Sequence, residues 1–408
     1  MIVLGVGGGI AAYKAVEVLR RLTESGHQVQ VVPTAAALQF VGAPTWAALS
    51  GRPVATDLWQ DAHDVPHVSI GRAADLVVVV PATADLMARA AHGLADDLLT
   101  NTLLTVTCPV VYVPAMHTEM WQNPATQDNV AVLRSRGAVV VEPAVGRLTG
   151  ADSGKGRLPE PDAITDLALA TLARHQRAPS TGPDLAGRTV VVSAGGTREP
   201  IDPVRFVGNR SSGRQGYALA TTAAARGAEV ILVSANVALP DPAGVTVVRV
   251  GTAAELGQAV RVAAAAADAV VMAAAVADFR PAAPAGSKIK KSGDMTAATA
   301  PLELERTADV LAALVRDPPR PGQLVVGFAA ETGDAAHDWL SLGRAKLAAK
   351  GCDLLVVNQV GDGLGFEVAD NAAVVIAADG SETVVPVGPK AVLADVVWDL
   401  VAQRLPTR

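Results

Sequence analysis

Between Ala194 and Gly216 the chain reads AGGTREPIDPVRFVGNRSSGRQG, which places Arg198, Arg205, Arg210 and Arg214 in one short run. Asn209, Ser211, Ser212 and Gly213 lie among them, and two glycines open the stretch. Guanidinium forks, free N–H groups at a glycine turn and the positive end of a helix all suit phosphate or carboxylate oxygens. The pattern predicts an anion-binding loop. More cations follow in the same half: Lys288-Ile289-Lys290-Lys291 after a Pro/Gly loop, and Lys346 with Lys350 on one helix face by i, i+4 spacing. Taken singly, such lysines are solvated surface. What joins them to the arginine loop is that each lies near a strand exit, as does Asp278 at the end of an apolar run.

The front half carries a different set. Gly5-Val6-Gly7-Gly8-Gly9-Ile10 follows a strand-like run and opens a helix. A dinucleotide fingerprint wants Gly where Ile10 stands and an acid where Pro33-Thr34 ends the second strand. The rear half also lacks that acid, at Ser234-Ala235-Asn236. Both absences weigh against NAD, and Gly154-Lys155-Gly156 fails as a nucleotide P-loop. The first glycine turn therefore suggests a mononucleotide phosphate. Two more segments sit at predicted strand ends, the edge where open α/β sheets bind ligands: Pro81-Ala82-Thr83-Ala84-Asp85, and Pro114 to Trp121, PAMHTEMW. His67, in Asp64-Val65-Pro66-His67-Val68, stands alone, and a lone histidine is more often a surface or satisfied core residue.

These residues need rigid elements beneath them. Strand-like runs at 2–6, 29–32, 76–80, 110–113 and 139–141 alternate with helical patterns such as 11–24 and 86–104. The rhythm predicts a doubly wound parallel sheet. It lapses near 175–187, where Pro, Gly and Ser accumulate, and restarts with runs at 189–193, 230–234, 245–250, 269–274, 324–328 and 354–357. A hairpin around Ala378-Asp379-Gly380 closes it. The expected architecture is α/β, two Rossmann-like doubly wound domains in series: 1–173, a linker 174–187, and 188–408.

Composition sets the bounds. The 408 residues suffice for two or three ordinary domains, and half are hydrophobic while only 3% are aromatic, so Ala, Val and Leu do the packing. A net charge of −6 argues against general nucleic-acid binding and points the arginines at small anions. Cys108 and Cys352 form no metal or disulfide pattern, which fits a reducing cytoplasm. No signal peptide or membrane span is expected: the most apolar window, 259–276, is interrupted by Arg261 and Asp268.

Taken together, the motifs resemble the bifunctional phosphopantothenoylcysteine decarboxylase/phosphopantothenate–cysteine ligases of bacterial coenzyme A synthesis. The resemblance spans nearly the whole chain. GGGIAAYK, His67, PATADL, PAMHTEMW and GRLTGADSGKGRLPEP carry it in front. The arginine loop, MAAAVADFRP, KIKK, GFAAET and KGCDLLVVN carry it behind.

The resemblance implies a flavodoxin-like decarboxylase domain in front, with FMN held near Gly8, Gly9, Thr83, Met116 and His117 at subunit contacts of a trimer. His67 corresponds to the family's essential histidine, placed for proton or hydride removal. Behind, it implies a CTP-dependent ligase that activates the carboxylate of 4′-phosphopantothenate as an acyl cytidylate for attack by cysteine. Asn209 then contacts the acyl cytidylate and Lys288 helps to form it. Asp278, Asp309, Phe328, Lys346 and Lys350 match the CTP pocket, Arg205 and Arg210 belong to the same substrate site, and Mg²⁺ accompanies the phosphates. Trimeric and dimeric contacts together would imply a dodecamer. Three positions depart from the family pattern: Gly7 replaces a common Ser, His117 an Asn, and Thr149, on a flap, the Cys that serves as proton donor. Two competing readings stay open. In one, the front domain is a non-catalytic FMN-binding assembly module beside an active ligase. The other is an NAD oxidoreductase.

Overall fold

The computed structural model describes residues 1–56, 65–148, 152–177, 184–289, 301–333, 337–359 and 370–406. It divides into two compact units, Met1–Ala186 with Ala225–Gly227 and Pro242–Gly244, and Gly187–Ala224 with Ala228–Asp241 and Val245–Arg408.

The first unit starts with β1 (Ile2–Val6), α1 (Ala12–Glu24), β2 (Val29–Pro33), α2 (Ala43–Ser50), α3 (Pro66–Ala73) and β3 (Leu76–Ala82). Next come α4 (Ala84–His92), α5 (Leu98–Thr105), β4 (Val110–Pro114), α6 (Thr118–Gln122), α7 (Pro124–Ser135) and β5 (Val139–Val140). A hairpin of β6 (Ala144–Arg147) and β7 (Ser153–Arg157) leads into α8 (Pro161–Arg177). The central sheet is parallel in the order β2-β1-β3-β4-β5. That is the flavodoxin-like order, with its reversal between β1 and β3. Every residue of β1 and β3 is buried, as a strand covered by helices on both faces requires. Helix α1 turns Ala12, Ala15, Val18, Leu19 and Leu22 inward at three- and four-residue spacing. Each buried Val or Leu of such a layer contributes about 1.5–3 kcal/mol.

One expectation changes here. The helix expected over 86–104 is two helices, α4 and α5. Gly93 takes φ 68° and closes α4, and Asp97 then starts α5 by accepting the Thr100 amide at 2.7 Å in a capping box. Leucine periodicity ran across the break and masked it. Helix α8 continues to Arg177, and Pro and Ser accumulate only after it.

The second unit runs β8 (Thr189–Gly195), β9 (Arg198–Pro200), β10 (Phe206–Gly208), α9 (Arg214–Ala225), β11 (Glu229–Ala235), β12 (Val245–Val250), α10 (Ala253–Ala264) and β13 (Ala269–Met272). It continues through β14 (Phe279–Pro281), β15 (Leu304–Arg306), α11 (Val310–Arg316), β16 (Leu324–Glu331), α12 (Trp339–Lys350), β17 (Leu354–Gln359), β18 (Asp370–Ala377), β19 (Glu382–Pro389) and α13 (Lys390–Arg404). Its main sheet is ordered β12-β11-β8-β13-β16-β17-β18-β19. The first six strands are parallel and reproduce the doubly wound order 3-2-1-4-5-6. The last two close it as an antiparallel hairpin, as the Ala378-Asp379-Gly380 turn predicted. Here the reversal falls between β8 and β13. Two small antiparallel pairs, β9 with β10 and β14 with β15, stand beside that edge. No helix among the described residues is long and apolar enough to cross a membrane.

Candidate functional site

In the first unit the loops leaving β1, β2, β3 and β4 enclose a cavity of about 1050 Å³ at the carboxyl edge of the sheet. Gly8, Gly9, Thr83, Met116 and His117 all line it, together with Thr34, Ala36 and Lys14. The glycines are there for space. A Cβ on Gly7 would stand 2.4 Å from the Pro81 carbonyl oxygen, whose bond from the Gly7 amide spans 3.0 Å. A Cβ on Gly8 would stand 2.3 Å from that of Ala36. At Gly9 the added carbon would meet nothing nearer than the Thr83 methyl at 3.8 Å, so this glycine faces the opening. Thr83 caps α4 by accepting the Leu86 amide at 3.2 Å.

The far wall is made by the β6–β7 hairpin. The Met116 amide donates to the Gly156 carbonyl at 3.0 Å, and a side chain on Gly156 would strike the Met116 carbonyl at 2.2 Å. His117 Nδ1 lies 3.1 Å from an Asp152 carboxylate oxygen, with both side chains about half exposed. Arg147, Arg157 and Lys14 add positive charge to the lining, Arg157 and Lys14 being paired with Glu160. Thr149 lies outside the described residues. Cys108 contributes no thiolate, since burial pushes its thiol up to about 11.

His67 is not part of this wall. It occupies the first turn of α3, with its carbonyl accepting the Thr105 hydroxyl at 2.8 Å. Its Nδ1 is buried and has no hydrogen-bond partner among the described residues.

In the second unit Asn209 and the Asp278 segment lie beside the β8/β13 reversal. Gly195, at φ 85°, turns the chain where any Cβ would stand 2.0 Å from the Ala235 carbonyl oxygen. Asn236, also left-handed at φ 54°, donates to the Gly196 and Gly251 carbonyls at 2.9 and 2.8 Å. Asn209 leaves β10 and donates to the Val276 carbonyl at 3.0 Å, drawing the arginine loop onto the exit of β13. The Thr307 amide meets the Asp278 carbonyl at 3.0 Å, and its hydroxyl donates to the Ala277 carbonyl at 2.5 Å. Two residues on, Asp309 caps α11 through the Ala312 amide at 2.9 Å and pairs with Lys350. Burial is the largest single effect and pushes its carboxyl up, but the Ala312 amide and both nearby lysines together hold it below the usual range. Lys346 pairs with Glu331 at 3.1 Å, on the same strand as the half-buried Phe328.

Arg205 does something the sequence did not suggest. Its Nε lies 2.9 Å from a carboxylate oxygen of Asp202, which also accepts from Nη2, while Nη2 donates to the Ile289 carbonyl at 2.9 Å. The Asp202 carboxyl is held well below its usual range, first by the Arg205 guanidinium and then by the backbone amides around it. Arg210 and Lys288 are exposed.

Comparison with known proteins fits this division. The Flavoprotein family matches residues 1–173, and the DNA/pantothenate metabolism flavoprotein C-terminal domain family matches 185–405. A coenzyme A biosynthesis bifunctional protein CoaBC from Mycobacterium bovis is 59% identical over 99% of this chain and 96% of its own length. The chain belongs to the CoaBC family. The CoaBC of Bacillus subtilis is 42% identical over 95% of this chain and 93% of its own. A crystal structure of the C-terminal domain of a CoaBC is 35% identical, covers 55% of this chain and 98% of that one, and has a TM-score of 0.45.

Within this CoaBC family member, the structure brings Gly8, Gly9, Thr83, Met116 and His117 to one cavity. Behind, it pairs Lys350 with Asp309, sets Lys346 close enough to act on the same carboxylate, and ties the Asp278 carbonyl to Thr307, two residues before Asp309. His67 it leaves apart from the cavity. Sequence reasoning missed Asp202, whose only signal was the Asp-Pro turn opener, and Glu331, which lies inside the GFAAET motif. Among the described residues no group of three or more His, Cys, Asp and Glu is placed to hold a metal ion.

Proposed function

We propose that the second unit joins 4′-phosphopantothenate to cysteine at the expense of CTP, and that the first decarboxylates the product with FMN to give 4′-phosphopantetheine. The observation that carries the front assignment is the cavity over the β1/β3 reversal, lined by every residue expected to hold the flavin. FMN fits the residues present. The volume is ample for a tricyclic ring with a ribityl phosphate, Gly9 leaves the loop open, and Lys14, Arg147 and Arg157 supply positive charge. Gly8, Gly9, Thr83, Met116 and His117 would hold FMN, which when bound would supply reversible two-electron redox chemistry at the thiol end of the substrate. Met116 and His117 then form the substrate wall, with Asp152 fixing the His117 ring. His67 is not among the residues lining this cavity, and a subunit contact of a trimer would let the histidine of another subunit complete it. Combined with a dimeric ligase, that gives a dodecamer.

The ligase step needs a leaving group on the acid. Lys288 and Asn209 flank the carboxylate as CMP is transferred to it, and the charged residues around Asp309 receive the nucleotide. Mg²⁺ enters with the triphosphate, whose oxygens are its natural ligands. These metabolic substrates place the enzyme in the cytoplasm.

With CTP, phosphopantothenate and cysteine, the full chain is expected to release pyrophosphate, and Lys288→Gln to lower that rate by at least about 100-fold. A rate unchanged by Lys288→Gln would remove the lysine from the mechanism. The alternative of a ligase beside an inactive flavin-binding module is favoured by His117 and Thr149 standing at the family's Asn and Cys positions. Steady CO₂ release from phosphopantothenoylcysteine by the full chain decides against it.

A further inference from the structure

We infer that Asp202, acting with Arg205, is a positioning residue for the ligase step: it clamps the backbone beside Lys288 to the hairpin that carries Asn209. The inference rests on the reading of Lys288 given above.

The clamp is built as follows. Asp202 lies in the bend between β9 and β10, and its side chain is fully buried. One carboxylate oxygen accepts the Val204 and Arg205 amides, both at 2.8 Å, which fixes the bend. The other accepts the Ile289 amide at 3.1 Å as well as the Arg205 guanidinium. Arg205 completes the grip by donating to the Ile289 carbonyl at 2.9 Å. Both backbone groups of the residue after Lys288 are therefore held by this one pair. On the other side of Lys288, the Ala285 amide donates to the Ile201 carbonyl at 2.8 Å, so the segment is tied twice to the same bend.

The hairpin on the other jaw ends at Gly208, directly before Asn209, whose amide is anchored on Val276. The side chain of Lys288 is exposed, so its placement depends on where its backbone is pinned. A buried carboxylate that accepts from five N–H donors across two segments fixes the separation of those segments. The chemistry supplies the reason. An amine that must meet charge developing on a transferring phosphoryl group loses most of its effect when displaced by about 1 Å.

The test compares full-length wild type, Asp202→Asn, Arg205→Lys and Lys288→Gln by CTP-dependent pyrophosphate release, with hydrogen exchange read over 285–289. Asp202→Asn keeps the shape but presents an amide N–H₂ to donors; Arg205→Lys keeps the charge but loses the fork. Each is expected to lower kcat by about 10- to 100-fold while KM for CTP moves less than about threefold. Exchange should rise over 285–289 and stay unchanged in β8 and β13. The clamp is refuted if kcat stays within about twofold of wild type in both variants, or if exchange rises throughout the unit, which marks lost folding instead. Should Asp202→Asn not fold, Arg205→Lys alone decides on the same criteria. Full activity in Lys288→Gln would overturn the reading beneath the proposal, and the proposal with it.

Discussion

A single absent methyl group keeps the front cavity open. Gly8 approaches Ala36 so closely that any side chain must push the glycine turn or the loop after β2 out of place. Gly8→Val is expected to abolish FMN retention, read as loss of the flavin absorbance of the purified protein, while β1 itself, buried and paired on both sides, keeps its far-UV signal. Retained flavin at full occupancy would show that the turn does not touch the cofactor. At this scale the sequence was informative wherever chemistry needs a rare residue type. The place of Gly8, Gly9 and Thr83 at the mouth of the front sheet was readable because turns at strand ends use few residue types. Asp202 was not, since an Asp before Pro signals a turn and says nothing of Ile289, 87 positions away along the chain. Nor does the sequence show that the Arg205 fork is engaged by a carboxylate and a carbonyl.

At the scale of elements, stability rests on where helices begin. Asp97 starts α5 with a reciprocal capping box, the Thr100 hydroxyl answering at the Asp97 amide over 3.2 Å. Asp97→Ala is expected to cost about 1 kcal/mol, read as a lower denaturant midpoint at unchanged slope. The long strands were legible from Val-rich runs, because residues covered on both faces leave no polar alternation to confuse them. The pairs β9/β10 and β14/β15 were not, since three residues are too few to show a period. Asn209 directly follows one of these short strands and Lys288 lies between two others, so the least legible elements flank the residues proposed for the ligase step.

For the whole molecule, two compact units with separate sheets predict two unfolding events. FMN at about 100 times its dissociation constant should stabilise only the unit that binds it, by about 2.7 kcal/mol, visible in calorimetry as one transition moving upward. Movement of both transitions together would contradict independent units. The ion pairs of α12 bear on how the proposed nucleotide would be captured. Lys346 and Lys350 each already have a carboxylate beside them, in a chain of net charge −6, so a nucleotide arriving from solution feels little pull at a distance. Capture becomes a trade of one oxyanion for another at close range. Its rate should barely respond to ionic strength, far less than the number of lysines at the site would suggest.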